Sequence, residues 1–177
     1  MNVRTLCLGI LSLQEASGYE IKKDVEDGLF SHFIDASYGS IYPALTQLAA
    51  EGLVTVRAEE QTGKPDKKVY AITDTGQTAL ANALSVKPAK DKYKSEFLFQ
   101  MLLQDFLSPD IMLVAIQKQL DDLNADLGRI AHCECGADGG QGARFVAEYG
   151  HAVLTAGVNC LENKKAELLQ QLAAQAA

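Results

Sequence analysis

The sequence predicts a mainly α-helical chain with one small β-hairpin, divided into two domains. Three observations point there. Apolar residues recur at helical spacing over most of the 177 positions. A single pair of β-branched runs is separated by a turn rich in Gly and Pro. A lysine-rich stretch interrupts the periodicity midway along the chain.

Leu6, Ile10 and Leu13 recur at steps of four and three and mark a first helix, with Leu8 and Leu11 widening its apolar surface. Ser17-Gly18 turns the chain into a second helix, whose inward candidates are Tyr19, Ile21 and Val25 and which Gly28 ends. Ile41, Leu45 and Leu48 define a third. With Ser40 as its N-cap, Pro43 falls at the third helical position, where a missing backbone N–H costs little. Gly52 ends that helix. Strands are expected from Leu53 to Glu60 and from Lys67 to Thr73, joined by the turn "QTGKPD". Thr73 can cap a fourth helix, "DTGQTALANALSV".

Lys87, Lys90, Lys92 and Lys94 then break the pattern. They place a linker at 87–92, between a domain of residues 1–86 and a helical domain of residues 93–177. In the latter, "EFLFQMLLQDFL" is apolar nearly all round and demands burial on more than one side. Pro109 restarts the chain, and Leu113, Ile116, Leu120, Leu123, Leu127 and Ile130 form a coiled-coil-like seam. "AHCECGADGGQG" reads as a glycine-rich loop. The last helix carries Phe145, Tyr149, Val153 and Ala156 on one stripe and Leu154, Val158, Leu161, Leu168 and Leu172 on another, so two packing surfaces are expected.

With 47% hydrophobic and 22% charged residues, the chain is unlike a disordered one. No apolar run reaches the ~18 residues of a membrane helix. "MNVRTLCLGILSL" lacks a small-residue cleavage site and reads as a mature helix, not a signal peptide. Four scattered cysteines (Cys7, Cys133, Cys135, Cys160) fit a reducing cytoplasm. The net charge of −7 is spread evenly: seven basic and eleven acidic residues in 1–86, nine and twelve in 87–177. Bulk electrostatics therefore does nothing to attract nucleic acid, and any such contact has to be local.

The first 86 residues run in the order of a winged helix-turn-helix. In that arrangement the second helix of the pair enters the DNA major groove and the hairpin wing holds phosphates. The expected recognition helix has an outward face of Tyr38, Tyr42, Pro43, Thr46, Gln47 and Ala50, polar and nearly uncharged. Tyr, Thr and Gln can hydrogen-bond to phosphates or base edges, while Pro and Ala allow close approach to a groove wall. Charge is moved to the hairpin, where Lys64, Lys67 and Lys68 cluster.

"SGYEI", "YGSIYPALTQLAAEGLVTV" and "GKPDKKVYAITDTGQTAL" together resemble the PadR family of bacterial transcriptional regulators. They match its Gly-Tyr-Glu opening of helix two, its S/T-I-Y-P-x-L recognition helix ending in E-G-L, and its wing closing in Y-x-I-T-x-x-G. The blocks stand in the family's order across residues 17–80. The helical second half is similar to the larger members of the family in length and pattern. The resemblance implies a cytoplasmic homodimer on double-stranded DNA, a repressor of a palindromic operator released by a small-molecule effector, with no cofactor. It assigns Tyr38, Ser40, Tyr42 and Pro43 to the recognition-helix motif and Lys64, Lys67 and Lys68 to the wing. It also implies that the C-terminal helices dimerise and hold an effector pocket, for which Phe97, Phe99, Met101 and Tyr149 are the expected lining.

Two other readings stay open at this level. His132, Cys133 and Cys135 lie together in the glycine-rich loop, with His151 and Cys160 further on. Thiolates with an imidazole suit zinc or copper(I), so a metal- or thiol-redox-responsive regulator is one. Its C-x-C spacing is tighter than usual for a structural zinc site and no fourth ligand is adjacent, so no metal is assigned. A winged-helix adaptor that binds protein instead of DNA is the other, in keeping with the negative charge. An enzyme is not expected: Cys133 or Cys135 beside His132 would need a third, orienting group, and no oxyanion-hole or phosphate-cradling motif accompanies them.

Overall fold

The computed structural model describes residues 2–26, 30, 38–61, 64–91, 93–132 and 140–176. The chain divides into two compact units, residues 1–91 and 92–177. The first unit contains α1 (Val3–Leu13), β1 (Ala16–Ser17), α2 (Gly18–Glu26), α3 (Tyr38–Ala50), β2 (Val54–Gln61), β3 (Lys64–Ile72) and α4 (Asp74–Leu84). The strands form one antiparallel sheet in the order β1-β3-β2, with Tyr70 opposite both Ala16 and Val56. The expected hairpin is thus the larger part of a three-stranded sheet. β1 is two residues long, too short to leave a periodic signal in the sequence.

The core of this unit is built from Leu6, Cys7, Ile10, Ile21, Ile41, Leu45 and Leu48, all 2% exposed or less. Burying side chains of this size contributes about 1.5–3 kcal/mol each. Burial pushes the Cys7 thiol up to about 11, so it packs as a small neutral hydrophobe. Two residues expected inside are not. Tyr19 is 68% exposed because it lies two residues before Ile21, on the opposite side of α2 from the Ile21/Val25 stripe. Leu13, 71% exposed, is the last residue of α1, where the chain turns off toward β1.

The third helix also starts earlier than its capping pattern suggests. Tyr38 is its first residue, so Ser40 lies inside the helix and Pro43 is the sixth residue, not the third. Pro43 therefore removes one intrahelical hydrogen bond, the one to the Gly39 carbonyl. At its other end Gly52 has φ 70°, and the Gly52 and Leu53 N–H groups donate to the Ala49 and Leu48 carbonyls at 3.1 and 2.9 Å. This is a Schellman motif, which returns the chain into β2. The Leu53 carbonyl then accepts from the Thr73 N–H at 3.1 Å, and the Thr73 hydroxyl donates to the Gly52 carbonyl at 2.8 Å. Thr73 caps α4 as expected, accepting from the Gly76 N–H at 3.0 Å.

The second unit contains α5 (Glu96–Leu102), a 3₁₀ turn (Gln104–Phe106), α6 (Pro109–His132) and α7 (Gly140–Ala176). Ser95 caps α5, accepting from the Leu98 N–H at 3.1 Å. Ile116 and Leu120 of α6 and Val158 of α7 are buried together, with Phe97, Met101, Leu123, Leu127, Leu161 and Leu168 packed around them. This is the predicted seam, with the second stripe of α7 as its partner. The run 96–107 is buried on one side only within the chain: Phe97 and Met101 pack inward, while Phe99, Leu102 and Phe106 are 63%, 79% and 84% exposed. Phe145, Tyr149 and Val153 of α7 are likewise exposed. A pair of long helices has one inside, and that inside is already taken by the other stripes.

A Cβ at Gly76 would stand 2.1 Å from the Leu53 carbonyl oxygen, which is backbone and itself hydrogen-bonded. Gly76→Ala should therefore destabilise the first unit by about 2 kcal/mol, in the range of overpacked cores, as a lowered urea midpoint with unchanged slope.

Candidate nucleic-acid interface

α3 buries Ile41, Ala44, Leu45 and Leu48 and leaves Gly39, Pro43, Thr46, Gln47 and Ala50 exposed, with Ser40 and Tyr42 half-buried. No residue of the helix is charged. The open face thus offers hydrogen-bonding groups without a field of its own. The Thr46 hydroxyl donates to the Tyr42 carbonyl at 3.0 Å, which leaves its lone pairs for an incoming donor. Gln47 presents both an amide donor and an acceptor. Tyr42 has a structural duty as well. A Cβ on Gly18 would come within 2.7 Å of its ring, so the ring lies against the backbone of the first residue of α2. Gly18 is glycine for that contact, which ties the two helices of the pair together.

Just before this contact the chain forms a reciprocal cap. Ser17 accepts from the Glu20 N–H at 3.3 Å, while Glu20 Oε2 accepts from the Ser17 N–H at 2.8 Å and from its hydroxyl at 2.7 Å. This is a capping box, with Ser17 at the N-cap and Glu20 at the third helical position. The other oxygen, Oε1, accepts from Lys67 Nζ at 2.8 Å. The hydrogen bond from Lys67, then those from Ser17, hold the Glu20 carboxyl at about 2, well below its ordinary 4.5. Lys67 is thus tied back to the start of α2. Its neighbour Lys68 is exposed, opposite Ala58 in the register, and has no ion pair among the described residues. Lys64 begins β3. The side chains of Tyr38 and Lys64 lie outside the described residues.

In the second unit an open groove of about 510 Å³ is lined by Phe97, Leu98, Met101, Gln104, Asp105, Met112, Ile116, Cys160, Leu161, Lys164, Glu167, Leu168 and Gln171. Of the four residues expected to line an effector pocket, Phe97 and Met101 line this groove. Phe99 and Tyr149 lie outside this groove: Phe99 is exposed, and Tyr149 stacks on Phe145 at 6.4 Å on the open stripe of α7. Met112 is not singled out by the sequence, and Cys160 is named there only with the cysteine and histidine set; the pairing of α6 with α7 brings both to the groove. Cys133, Cys135 and the His132 side chain lie outside the described residues, among which no cluster of His, Cys, Asp or Glu can hold a metal ion.

The carboxylate of Glu20 generates a pH test. Its folded-state value is depressed, so its stabilising contribution is full above about 4.5 and is lost as pH falls toward about 2. The stability gap between the wild-type chain and Glu20→Gln should be widest at neutral pH and close across that interval. A gap that does not change with pH would show that the carboxylate is not held as described.

Residues 7–82 match the Transcriptional regulator PadR-like family. The Negative transcriptional regulator PadR of Bacillus subtilis is 33% identical to this chain over 121 residues, 68% of this chain and 66% of that protein. A PadR-like transcriptional regulator of Bacillus cereus has a crystal structure similar to this one at TM-score 0.81 and 30% identity, covering 96% of this chain and 99% of that one. Bacillus subtilis PadR in complex with operator DNA is similar at TM-score 0.77 and 27% identity, covering 93% and 98%. The same protein in complex with p-coumaric acid is similar at TM-score 0.69 and 26% identity, covering 94% and 99%. Winged-helix fold, motif blocks and relatives agree, and the chain belongs to the PadR-like family of transcriptional regulators.

Proposed function

We propose that this chain is a cytoplasmic repressor that binds a palindromic operator in double-stranded DNA as a homodimer and leaves it when a small molecule binds. The observation that carries the reading is the α3 face. It is exposed, rich in hydrogen-bonding groups and free of charge, in a chain whose fold follows that of Bacillus subtilis PadR on operator DNA. Thr46 and Gln47 read base edges, Ser40 and Tyr38 approach phosphates, and Pro43 lets the groove wall come close. Tyr42 braces the helix, with its ring set against Gly18. Lys64 and Lys68 of the wing meet the DNA backbone. Among the described residues no helix is long and apolar enough to cross a membrane.

A second copy is supported by the apolar side chains that the chain leaves open, Phe99, Leu102 and Phe106 before α6 and the Phe145/Tyr149/Val153 stripe of α7. A two-fold pair buries them and presents two recognition helices to half-sites about 34 Å apart. The effector site is the groove lined by Phe97, Met101, Met112 and Ile116, by analogy with the p-coumaric acid complex of the Bacillus subtilis relative. A ligand there releases DNA only by binding the released arrangement more tightly than the bound one.

Three outcomes are expected. Sedimentation velocity should give a dimer at micromolar concentration; a stable monomer would overturn the symmetric reading. Titration of promoter duplexes at modest salt should give specific binding, and Gln47→Ala should lower operator affinity by about 1–3 kcal/mol while sparing non-specific binding. Lys68→Ala should weaken every duplex alike and flatten the salt dependence by about 0.9 per half-site. Absence of any duplex binding would favour the protein-binding adaptor instead.

A further inference from the structure

Lys67 and Lys68 are adjacent in the wing and look equivalent in sequence, yet their surroundings differ. Successive residues of a strand project to opposite faces, so the two cannot serve the same phosphate. Lys68 is exposed on β3. Lys67 has only 29% of its side chain exposed, with its ammonium 2.8 Å from Glu20 Oε1. Its partner is no loose surface carboxylate. Glu20 Oε2 is already engaged by the Ser17 N–H and hydroxyl at 2.8 and 2.7 Å, which leaves Oε1 aimed at the strand. The pair joins residues 47 apart in sequence, on two different elements. Between Ser17 and Glu20 sits Gly18, the residue against which the Tyr42 ring of the recognition helix rests. One turn of chain therefore sets both the wing and the recognition helix.

We propose that Glu20 is a positioning residue for DNA binding: it keeps Lys67 on its own carboxylate, holding the wing against the start of α2 and that lysine off the DNA backbone. This rests on the DNA-binding reading above. A lysine already neutralised by a fixed carboxylate displaces no counterion from DNA, so it adds nothing to the salt dependence of binding. Its contribution is geometric, through where it places Lys68 relative to α3.

The test measures operator affinity and its salt slope for the full-length wild type, Lys67→Met, Lys67→Arg and Glu20→Gln, with circular dichroism as the check on folding. Lys67→Met should lower operator affinity about 3- to 10-fold and leave the salt slope as in the wild type. Lys67→Arg, which can keep the pair, should recover most of that affinity. Glu20→Gln retains the capping acceptor and removes the charge that holds the lysine. It should lower the ratio of operator to non-specific affinity about 3- to 10-fold, with a slope no flatter than the wild type's. A Lys67→Met slope flatter by about 0.9 per half-site would overturn the proposal, since Lys67 would then be a phosphate contact. So would a Glu20→Gln chain with wild-type affinity and specificity. Should Glu20→Gln not fold, the Lys67 pair decides alone. A folded wild type that binds no duplex overturns the DNA-binding reading itself and this inference with it, whereas a flattened Lys67→Met slope leaves that reading standing.

Discussion

The first unit is organised around the turn from Ser17 to Glu20. Ser17 pairs with Val69 in β3, caps α2 and is capped in return by Glu20. The next residue, Gly18, receives the Tyr42 ring, and the far oxygen of Glu20 receives Lys67. Four residues thus join a strand, two helices and the wing. Little of this is large in energy. A cap is worth about 1 kcal/mol and an exposed ion pair less. What the turn supplies is relative position, and a module that addresses a groove depends on position more than on surplus stability.

A second junction completes the frame at the other end of α3. The left-handed Gly52 closes the helix, the Leu53 carbonyl accepts from Thr73, and Gly76 leaves room for that carbonyl. The base of the wing and the start of α4 are thereby hung from the end of the recognition helix. The recurring blocks that mark this family, Gly-Tyr-Glu, E-G-L and T-x-x-G, fall on these two junctions. In this chain these three blocks are chiefly the geometry of the frame, whereas the S-I-Y-P block lies on α3 itself, beside the exposed Thr46 and Gln47.

Long periodic elements were legible because their apolar residues had to face one core. Ile41, Leu45 and Leu48, and the Ile116/Leu120 seam, are buried as their spacing requires. The Thr73 cap was legible because its partners lie within three residues. β1 was not, since two residues carry no period, and its pairing with β3 spans more than fifty positions. The start of α3 was misplaced because Ser40 and Pro43 imitate an N-terminus that the chain reaches at Tyr38. The lysines of the wing were seen as a cluster, but their inequality depends on Glu20, 47 residues away. The groove was half legible: Phe97 and Met101 are apolar residues in an obvious run, whereas Met112 and Cys160 reach it only once α6 and α7 are paired.

Charge placement follows one logic across the first unit. Residues 1–86 carry a net −4, α3 carries none, and one of the three wing lysines is neutralised internally. Such a surface attracts DNA weakly as a polyelectrolyte, because affinity that grows with displaced counterions is the same on every sequence. Discrimination must then come from short-range groups whose worth depends on alignment, at about 1–3 kcal/mol for each well-made base contact. Weak general attraction raises the ratio of specific to non-specific binding, which decides occupancy against a genome of competing sites. It also makes binding sensitive to small displacements of α3, because a misaligned hydrogen bond is lost where a distant charge would still attract. A face of this kind would suit the release proposed above, by a modest change in the spacing of two recognition helices.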